Sequence, residues 1–120
     1  LIDSRGRPVL WHCSGGKDRT GFASAVVLKL LGVDHDTIEA DYMLSNVYAD
    51  SRRGQRTALR IFRGQTAANA LSALFEVRAS WLSSAFEAIE EKWGGFDAYR
   101  KKGLLVTDDE VEALRNRYLQ

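Results

Sequence analysis

The spacing of apolar residues along the chain predicts one short strand followed by a series of helices. Val9, Leu10 and Trp11 form a brief apolar run, which is typical of a buried strand and predicts a strand over residues 7–12. Residues 20–31 are apolar nearly all round, so we expect a helix that is buried against a sheet and ends at Gly32. The segment between these two elements is then a strand-to-helix turn.

Capping signals predict where the next helix begins. Asp36 and Glu39 resemble a capping box, which would open a second helix that runs to about Asp50. The face that we expect this helix to bury contains Ala40, Met43, Leu44, Val47 and Tyr48. Residues 54–74 predict one or two short helices, interrupted by Gly64.

Three more helices are expected in the last third of the chain. Residues 78–93 predict an amphipathic helix, ended by Gly94-Gly95, on the stripe formed by Leu82, Ala85, Phe86, Ile89 and Trp93. A short helix over residues 96–102 should follow and end at Gly103. Thr107 and Glu110 form a capping box for a last helix that is buried through Val111, Leu114 and Tyr118. We assign the aromatic residues of these helices to the core.

The turn between the predicted strand and the first helix carries the candidate chemistry. Residues 12–21 have the sequence HCSGGKDRTG, in which a cysteine stands six positions before an arginine with glycines between them. At the start of a helix, unpaired backbone N–H groups and the positive end of the helix dipole favour an anion and the ionisation of a thiol. The pattern therefore predicts a loop that wraps a phosphate around a thiolate.

The chemistry of three loop residues indicates catalysis. Cys13 as a thiolate would attack phosphorus and form a cysteinyl-phosphate. Arg19 can hold two phosphate oxygens with its planar guanidinium and stabilise them in the transition state. Thr20 places a hydroxyl where it can donate a hydrogen bond to the sulfur as the sulfur becomes charged.

The other loop residues are predicted to bind phosphate or to orient the loop. Gly15 and Gly16 let the backbone curl so that several N–H groups point inward, and Lys17 adds a second cation. His12 is expected to orient the loop by donating to nearby backbone, since it precedes the nucleophile on the strand. The predicted phosphate-binding set is Ser14, Gly15, Gly16, Lys17, Asp18 and Arg19.

Two simpler interpretations compete with this one. A lone cysteine is usually a small buried hydrophobe and a Gly-Gly pair is usually a turn, but their joint occurrence at this spacing favours a functional loop. The phosphate-binding loop of nucleotide hydrolases requires a Gly five residues before its Gly-Lys pair and a Ser or Thr after the Lys. This chain has Trp11 and Asp18 at those positions.

Residues 12–21 resemble the signature of the cysteine-dependent protein tyrosine phosphatases. The GKDRTG ending is similar to that of the atypical bacterial tyrosine- and lipid-phosphatase family found in actinobacteria and in some intracellular pathogens. The likeness continues through residues 31–33, 38–46, 77–82 and 93–99, whereas Trp11 replaces a small aliphatic residue and residues 52–75 match nothing in the pattern. The resemblance implies an α/β, protein tyrosine phosphatase-like three-layer fold, to which this chain would contribute one sheet strand and the C-terminal helices.

One strand cannot satisfy its own backbone groups, and a sheet needs several partners. The segments downstream of residue 12 predict only helices. We therefore expect residues 1–120 to be the C-terminal part of a single phosphatase catalytic domain, with the N-terminal half of the same enzyme, which holds the rest of the sheet, as its partner.

The source of the proton for the leaving group stays open. Tyrosine phosphatases generally keep their general acid on a loop that precedes the cysteine loop, and only twelve residues precede Cys13. An Asp directly before the loop Arg resembles inositol-lipid phosphatases of the myotubularin type, which implies Asp18 as the acid. Alternatively, Asp18 caps the following helix or pairs with Arg19, and the acid lies upstream. Lys17 is similar to a loop lysine of lipid phosphatases, which implies binding of a polyanionic headgroup.

Composition and charge limit the kinds of ligand and partner that we expect the chain to bind. A net charge of +1 argues against a general nucleic-acid binder. Basic residues are concentrated in one stretch, which contains Arg52, Arg53, Arg56, Arg60 and Arg63. This stretch is either a solvated face or a mobile basic cover that recruits phosphorylated substrate or anionic lipid. His12 and His35 stand apart, so we expect no metal site and no cofactor.

The cellular setting is only weakly indicated. The single cysteine excludes an intramolecular disulfide, and a thiolate nucleophile needs reducing surroundings. No apolar stretch is long enough for a transmembrane segment. A cytoplasmic location is the default expectation, and secretion into a host cell would suit the family resemblance.

Together the residues predict hydrolysis of phosphate monoesters through a cysteinyl-phosphate intermediate. Protein phosphotyrosine is the expected substrate, phosphoinositides come second, and the resemblance allows dual specificity. The alternative is a catalytically silent phosphate-recognition module. The combination of Cys13, Arg19 and Thr20 favours the enzyme.

Overall fold

The computed structural model describes residue 1, residues 7–49 and residues 76–119, and in these ranges the regular structure is helical. Helix α1 spans Asp18–Leu31 and α2 spans His35–Ala49. Helix α3 spans Ala79–Trp93, and the short α4 at Phe96–Ala98 runs into a π-helical turn at Tyr99–Gly103. The last helix, α5, spans Asp108–Tyr118. The helices predicted within residues 54–74 and the basic stretch lie outside the described residues.

Helix α1 begins earlier than predicted and ends where predicted. Its first residue is Asp18, so the helix starts directly after residues 12–17, which we call the glycine loop. Gly32 ends it in the left-handed conformation with φ 92°. There the Val33 N–H donates to the Leu28 carbonyl at 3.1 Å, which pairs a backbone oxygen that the helix leaves free.

The predicted Asp36–Glu39 capping box of α2 is wrong, because the helix begins at His35 and Asp34 provides the cap. The carboxylate of Asp34 accepts hydrogen bonds from the Thr37 N–H at 2.9 Å and from the Thr37 hydroxyl at 2.7 Å. These bonds favour the charged carboxylate and lower the pKa of Asp34. Asp34 therefore occupies the capping position one residue before the helix.

The buried face of α2 was also predicted largely incorrectly, since of the predicted residues Met43 packs against the core, where it is partly buried. Ile38 and Tyr42 are 0% and 5% exposed, whereas Val47 and Tyr48 are 64% and 76% exposed. The reason is tertiary, because α2 packs on α1 where Gly21 leaves room for a ring. A Cβ atom at Gly21 would lie only 2.7 Å from two ring carbons of Tyr42.

The predicted ends, caps and buried residues of the C-terminal helices are largely confirmed. Gly94 ends α3 in the left-handed conformation, and Leu82 and Ile89 of the predicted stripe are buried. Thr107 and Glu110 form the predicted capping box of α5, since each side chain accepts from the other residue's backbone N–H. In the last helix Leu114 is 4% exposed, but Tyr118 is 47% exposed and does not belong to the core.

The expected helix over residues 96–102 is present, but its second half is a π-helical turn. Gly103 fits this turn closely, because a Cβ atom there would lie 2.8 Å from the Tyr99 ring and 3.1 Å from the Trp93 ring. The buried Arg100 stabilises the turn by binding the carboxylates of Asp97 and Asp108 and the Val106 carbonyl.

The core lies on two sides of α1. On one side, against α2 and the start of α3, the buried residues are Ala25, Ile38, Tyr42, Val77 and Leu82. On the other side, against α5, they are Val26, Leu30 and Leu114. Phe22 contacts both groups. Helix α1 is therefore the central element of the described residues, and the glycine loop is attached to its N-terminus.

The predicted strand over residues 7–12 is not present in the structure. No described residue forms a strand, and residues 7–13 have irregular backbone. The apolar run is exposed rather than buried, with Val9, Leu10 and Trp11 at 43%, 90% and 37%. A strand needs a hydrogen-bonding neighbour, and none is provided by the described helices. Of the predicted α/β arrangement, the structure therefore shows the helical part.

Candidate active site

The candidate site is formed by residues 12–17 and the first turn of α1. Gly16 has φ 68°, in the left-handed region that glycine adopts without strain. A Cβ atom at Gly16 would meet nothing within 4 Å, so the backbone conformation, and not the available space, favours glycine there. The left-handed residue turns the chain from Cys13 back toward the start of the helix.

The sulfur of Cys13 faces several hydrogen-bond donors. The Gly16 N–H donates to Sγ at 3.3 Å. The Thr20 side chain has the largest effect on the thiol, followed by the Thr20 N–H, and the N–H groups of Gly16 and Gly15 act in the same direction. Together they lower the pKa of Cys13 from 9.0 to about 6, although desolvation raises it by more than the N–H group of either glycine lowers it. At neutral pH the sulfur is therefore mainly a thiolate.

The hydroxyl of Thr20 has an unusual position. Its Oγ1 is buried and has no partner among the described residues that meets hydrogen-bond geometry, although it is the main stabiliser of the Cys13 thiolate. Both observations fit a hydroxyl that faces the sulfur without completing a well-aligned bond. The predicted role of Thr20 requires such a donor, whose proton is free to turn toward sulfur as charge develops.

Three further predicted loop residues, His12, Ser14 and Arg19, have exposed side chains. Of these, Arg19 takes part in none of the ion pairs between described residues. An exposed guanidinium in the first turn of a helix remains available to an anionic ligand. The Nδ1 atom of His12 lies 3.5 Å from the Cys13 carbonyl oxygen, which is a long contact, and the orienting role of His12 stays a prediction.

Lys17 is turned away from solvent and is held by three groups. It is 9% exposed, and its Nζ atom lies 2.9 Å from the Asp18 carboxylate and 2.8 Å from the Glu76 carbonyl oxygen. The same ammonium lies 5.4 Å from the centre of the Trp81 ring. Asp18 therefore pairs with Lys17 and not with Arg19, and α1 has no side-chain cap at its N-terminus. Its carboxylate is half-exposed, and its position is fixed by a buried cation.

A cavity of about 330 Å³ opens beside this ion pair, between α1, α2 and α3. It is lined by Lys17, Asp18, Phe22, Tyr42, Trp81, Leu82 and Ala85. Burial and, to a smaller extent, the charge of Asp18 raise the pKa of Tyr42, which therefore stays a neutral phenol. The walls are mostly aromatic and aliphatic, and the charged pair lies at one end.

Two backbone anchors near the site could not be found in the sequence. The side-chain amide of Asn46 donates to the Val77 carbonyl at 2.9 Å and accepts from the Val77 N–H at 2.7 Å. The neighbouring Glu76 carbonyl accepts from Lys17. These partners lie far apart in sequence, and no local pattern indicates them. Trp81 was assigned to the core, yet it is 38% exposed and lines the cavity.

Cys13 thus lies just before the N-terminus of α1, with its sulfur facing backbone N–H groups of the loop, and Arg19, which forms no ion pair with the other described residues, lies in the first turn of that helix. The model of the tyrosine phosphatase family matches residues 1–120, and the chain belongs to that family. This finding confirms the resemblance drawn from residues 12–21, and the family indicates a tyrosine phosphatase-like fold. Within the described residues, no helix has the length and apolar character needed to cross a membrane.

Individual relatives agree with the family assignment. The chain is 43% identical over 117 residues to a Cupriavidus necator protein that bears the name of a tyrosine-protein phosphatase; the match covers 95% of this chain and 40% of that protein. It is 38% identical over 104 residues to the triple specificity protein phosphatase PtpB of Mycobacterium tuberculosis, and this match covers 78% of the chain and 38% of PtpB. A tyrosine-protein phosphatase of Nostoc commune is 28% identical over 115 residues, and this match covers 91% of the chain and 38% of that protein. The chain thus spans about 40% of the length of these relatives.

Proposed function

We propose that the protein hydrolyses phosphate monoesters through a cysteinyl-phosphate intermediate, with Cys13 as the nucleophile. The observation that carries the proposal is the Cys13 sulfur, whose pKa is lowered to about 6 by the hydroxyl and N–H donors that face it. A structural cysteine needs no such donors, whereas a nucleophile that must be ionised at neutral pH does.

The reaction would take place in two displacements. In the first, the Cys13 thiolate forms a bond to phosphorus while the ester oxygen leaves with the electron pair of the P–O bond. The N–H groups of Gly15 and Gly16 and the guanidinium of Arg19 would hold the equatorial oxygens, where negative charge is concentrated. In the second, water attacks phosphorus and gives a proton to the carboxylate that protonated the leaving oxygen in the first, while the S–P bond breaks and the sulfur leaves as a thiolate that the Thr20 hydroxyl stabilises.

Asp18 is our candidate for the group that protonates the leaving oxygen. It stands beside Arg19 at the first position of α1, and its carboxylate is half-exposed next to an open cavity. The contact with buried Lys17 fixes the orientation of this carboxylate, and the donor role requires in addition that Asp18 carries a proton when the substrate binds. An acid contributed by another part of the protein is the alternative.

Protein phosphotyrosine is the substrate we favour, with phosphoinositides second. The relatives support this choice only by name, since two of them are called tyrosine-protein phosphatases and PtpB is called a triple specificity protein phosphatase. The single cysteine would keep its nucleophilic form in a reducing compartment.

The experiment compares the full-length protein with its Cys13→Ser variant. Wild type is expected to release phosphate from p-nitrophenyl phosphate and from a phosphotyrosine peptide. The variant should lose turnover and still bind the peptide, because the N–H groups and Arg19 remain. Turnover by Cys13→Ser near the wild-type rate would remove Cys13 as the nucleophile. Peptide binding by a wild type that releases no phosphate would instead support the silent recognition module.

A further inference from the structure

The peptide group that joins Glu76 to Val77 lies between two side chains. On one side, the Val77 N–H donates to the amide oxygen of Asn46 at 2.7 Å. On the other side, the Glu76 carbonyl accepts from the Lys17 ammonium at 2.8 Å. Because a peptide group is planar and trans, its N–H and its C=O point in opposite directions. Asn46 therefore fixes the direction in which the Glu76 carbonyl faces Lys17.

The ammonium of Lys17 carries this constraint to Asp18. A lysine side chain is flexible, so its partners decide where its charge lies. Both carboxylate oxygens of Asp18 lie 2.9 Å from Nζ, and the Glu76 carbonyl is the other hydrogen-bond partner of this ammonium. Lys17 is 9% exposed, and a buried ammonium that loses a partner is strongly destabilised. If the carbonyl turned away, the ammonium would therefore move, and the Asp18 carboxylate would move with it.

We propose that Asn46 is a positioning residue for the phosphatase reaction, which acts through the Glu76 carbonyl and Lys17 on the carboxylate of Asp18. Asn46 lies on α2 and is bonded to the backbone of Val77, so it is not itself a catalytic residue. This role rests on the proposed function, and in particular on Asp18 as the group that protonates the leaving oxygen. A proton donor works only in a defined position, and a displacement of about 1 Å can cost about 10²-fold in rate.

The chemistry of the Asn46 side chain suits this role. Its amide has both a donor and an acceptor, and besides accepting from the Val77 N–H it donates to the Val77 carbonyl at 2.9 Å. Val77 is 2% exposed and lies two residues before α3, outside the helical hydrogen bonds, so its backbone groups depend on this amide. A side chain that is too short to hold both groups would release the peptide group that orients Lys17.

The test measures how the rate depends on the leaving group in the full-length protein. For wild type, Asn46→Ala and Asp18→Asn, kcat/KM is measured with a phosphotyrosine peptide, whose leaving group needs a proton, and with p-nitrophenyl phosphate, whose leaving group departs unaided. The double variant of Asn46→Ala and Asp18→Asn is measured in the same way. The matched control is Leu114→Ala, because Leu114 is buried on the other side of α1 from Val77. Urea titration gives the stability of each variant.

Asn46→Ala is expected to lower kcat/KM for the peptide by about 10–100-fold and to leave p-nitrophenyl phosphate nearly unchanged. Leu114→Ala should also lose stability but keep the wild-type ratio of the two rates. In the double variant the peptide should react no more slowly than in Asp18→Asn, because the carboxylate that Asn46 positions is already gone. A further loss there would overturn the role of Asn46, as would the same selectivity in Leu114→Ala. If Asn46→Ala does not fold, Asn46→Ser is a milder change with the same expected direction.

Three outcomes separate this role from the proposed function. Phosphate release by wild type is measured first, and its absence would refute the proposed function itself. Equal losses on both substrates in Asp18→Asn would remove Asp18 as the proton donor, and the positioning role with it. A loss in Asp18→Asn that is confined to the peptide, and that Asn46→Ala does not share, would overturn the role of Asn46 alone.

Discussion

The role of the Thr20 side chain can be tested without any substrate. Thr20→Val keeps the shape of the side chain and removes its hydroxyl, and the backbone N–H groups of residues 15, 16 and 20 remain. Because the hydroxyl has the largest single effect on the thiol, its loss should raise the pKa of Cys13 from about 6 toward the ordinary value of 9.0. The remaining N–H donors should keep the value below that limit.

The size of the effect follows from the ionisation equilibrium. At pH 6 about half of the wild-type sulfur is thiolate, and a rise of one pKa unit would leave about a tenth. The thiolate fraction increases with pH, so the variant should react more slowly at pH 6 and approach wild type only in more alkaline buffer. The difference between the two proteins should therefore shrink as pH rises.

Alkylation by iodoacetamide measures this directly, since the thiolate is the reactive form and Cys13 is the single cysteine of the chain. The rate constant is followed by mass spectrometry from pH 4 to 10, and its midpoint gives the pKa. Thr20→Ser is the matched control, because it keeps the hydroxyl and should keep a midpoint near 6. A midpoint near 6 in Thr20→Val as well would refute our account and assign the effect to the backbone N–H groups alone.

Three other predictions concern the neighbours of this residue. Asp18→Asn should slow hydrolysis of phosphotyrosine by about 10²–10⁴-fold and remove the alkaline limb of its pH–rate profile, while p-nitrophenyl phosphate, whose leaving group departs unaided, is little affected; equal losses on both substrates would place the acid elsewhere. Lys17→Met should leave inhibition by inorganic phosphate unchanged, because the ammonium binds Asp18 and Glu76, and a weaker phosphate inhibition would show direct binding. Gly21→Ala should cost about 1–3 kcal/mol of unfolding free energy through overpacking against Tyr42, measured by urea titration. Adding Gly21→Ala to Tyr42→Ala should then cost little more than Tyr42→Ala alone, and full additivity would contradict the clash.

Local signals in the sequence predicted the C-terminal ends of α1 and α3 and the N-terminal cap of α5. Gly32 and Gly94 end their helices because each adopts a left-handed conformation that other residues resist. The Thr107–Glu110 box involves only neighbours in sequence, so its hydrogen bonds follow from the spacing. The loop could also be recognised from the sequence, because residues 12–21 are contiguous and the groups that donate to the Cys13 sulfur lie within them.

Features that depend on distant partners were predicted poorly. Residues 7–12 have a strand pattern, but a strand exists only when a neighbour pairs with its backbone. The buried face of α2 depends on the gap at Gly21, which becomes meaningful only once Tyr42 packs into it. Lys17 has the charge of a phosphate ligand, and nothing near it in sequence indicates that a carbonyl 59 residues away accepts from its ammonium.

The two hydrogen bonds between Asn46 and Val77 have an evolutionary consequence. They join positions 31 residues apart, so the last part of α2 and the segment before α3 are held together at fixed points. When the two ends of a segment are already held together, lengthening that segment costs little entropy, about 0.6 kcal/mol for each doubling. Insertions, deletions or whole replacements between residues 50 and 75 should therefore be acceptable to the fold. Related proteins could therefore differ in this interval and acquire new regulators there without any change to residues 12–21.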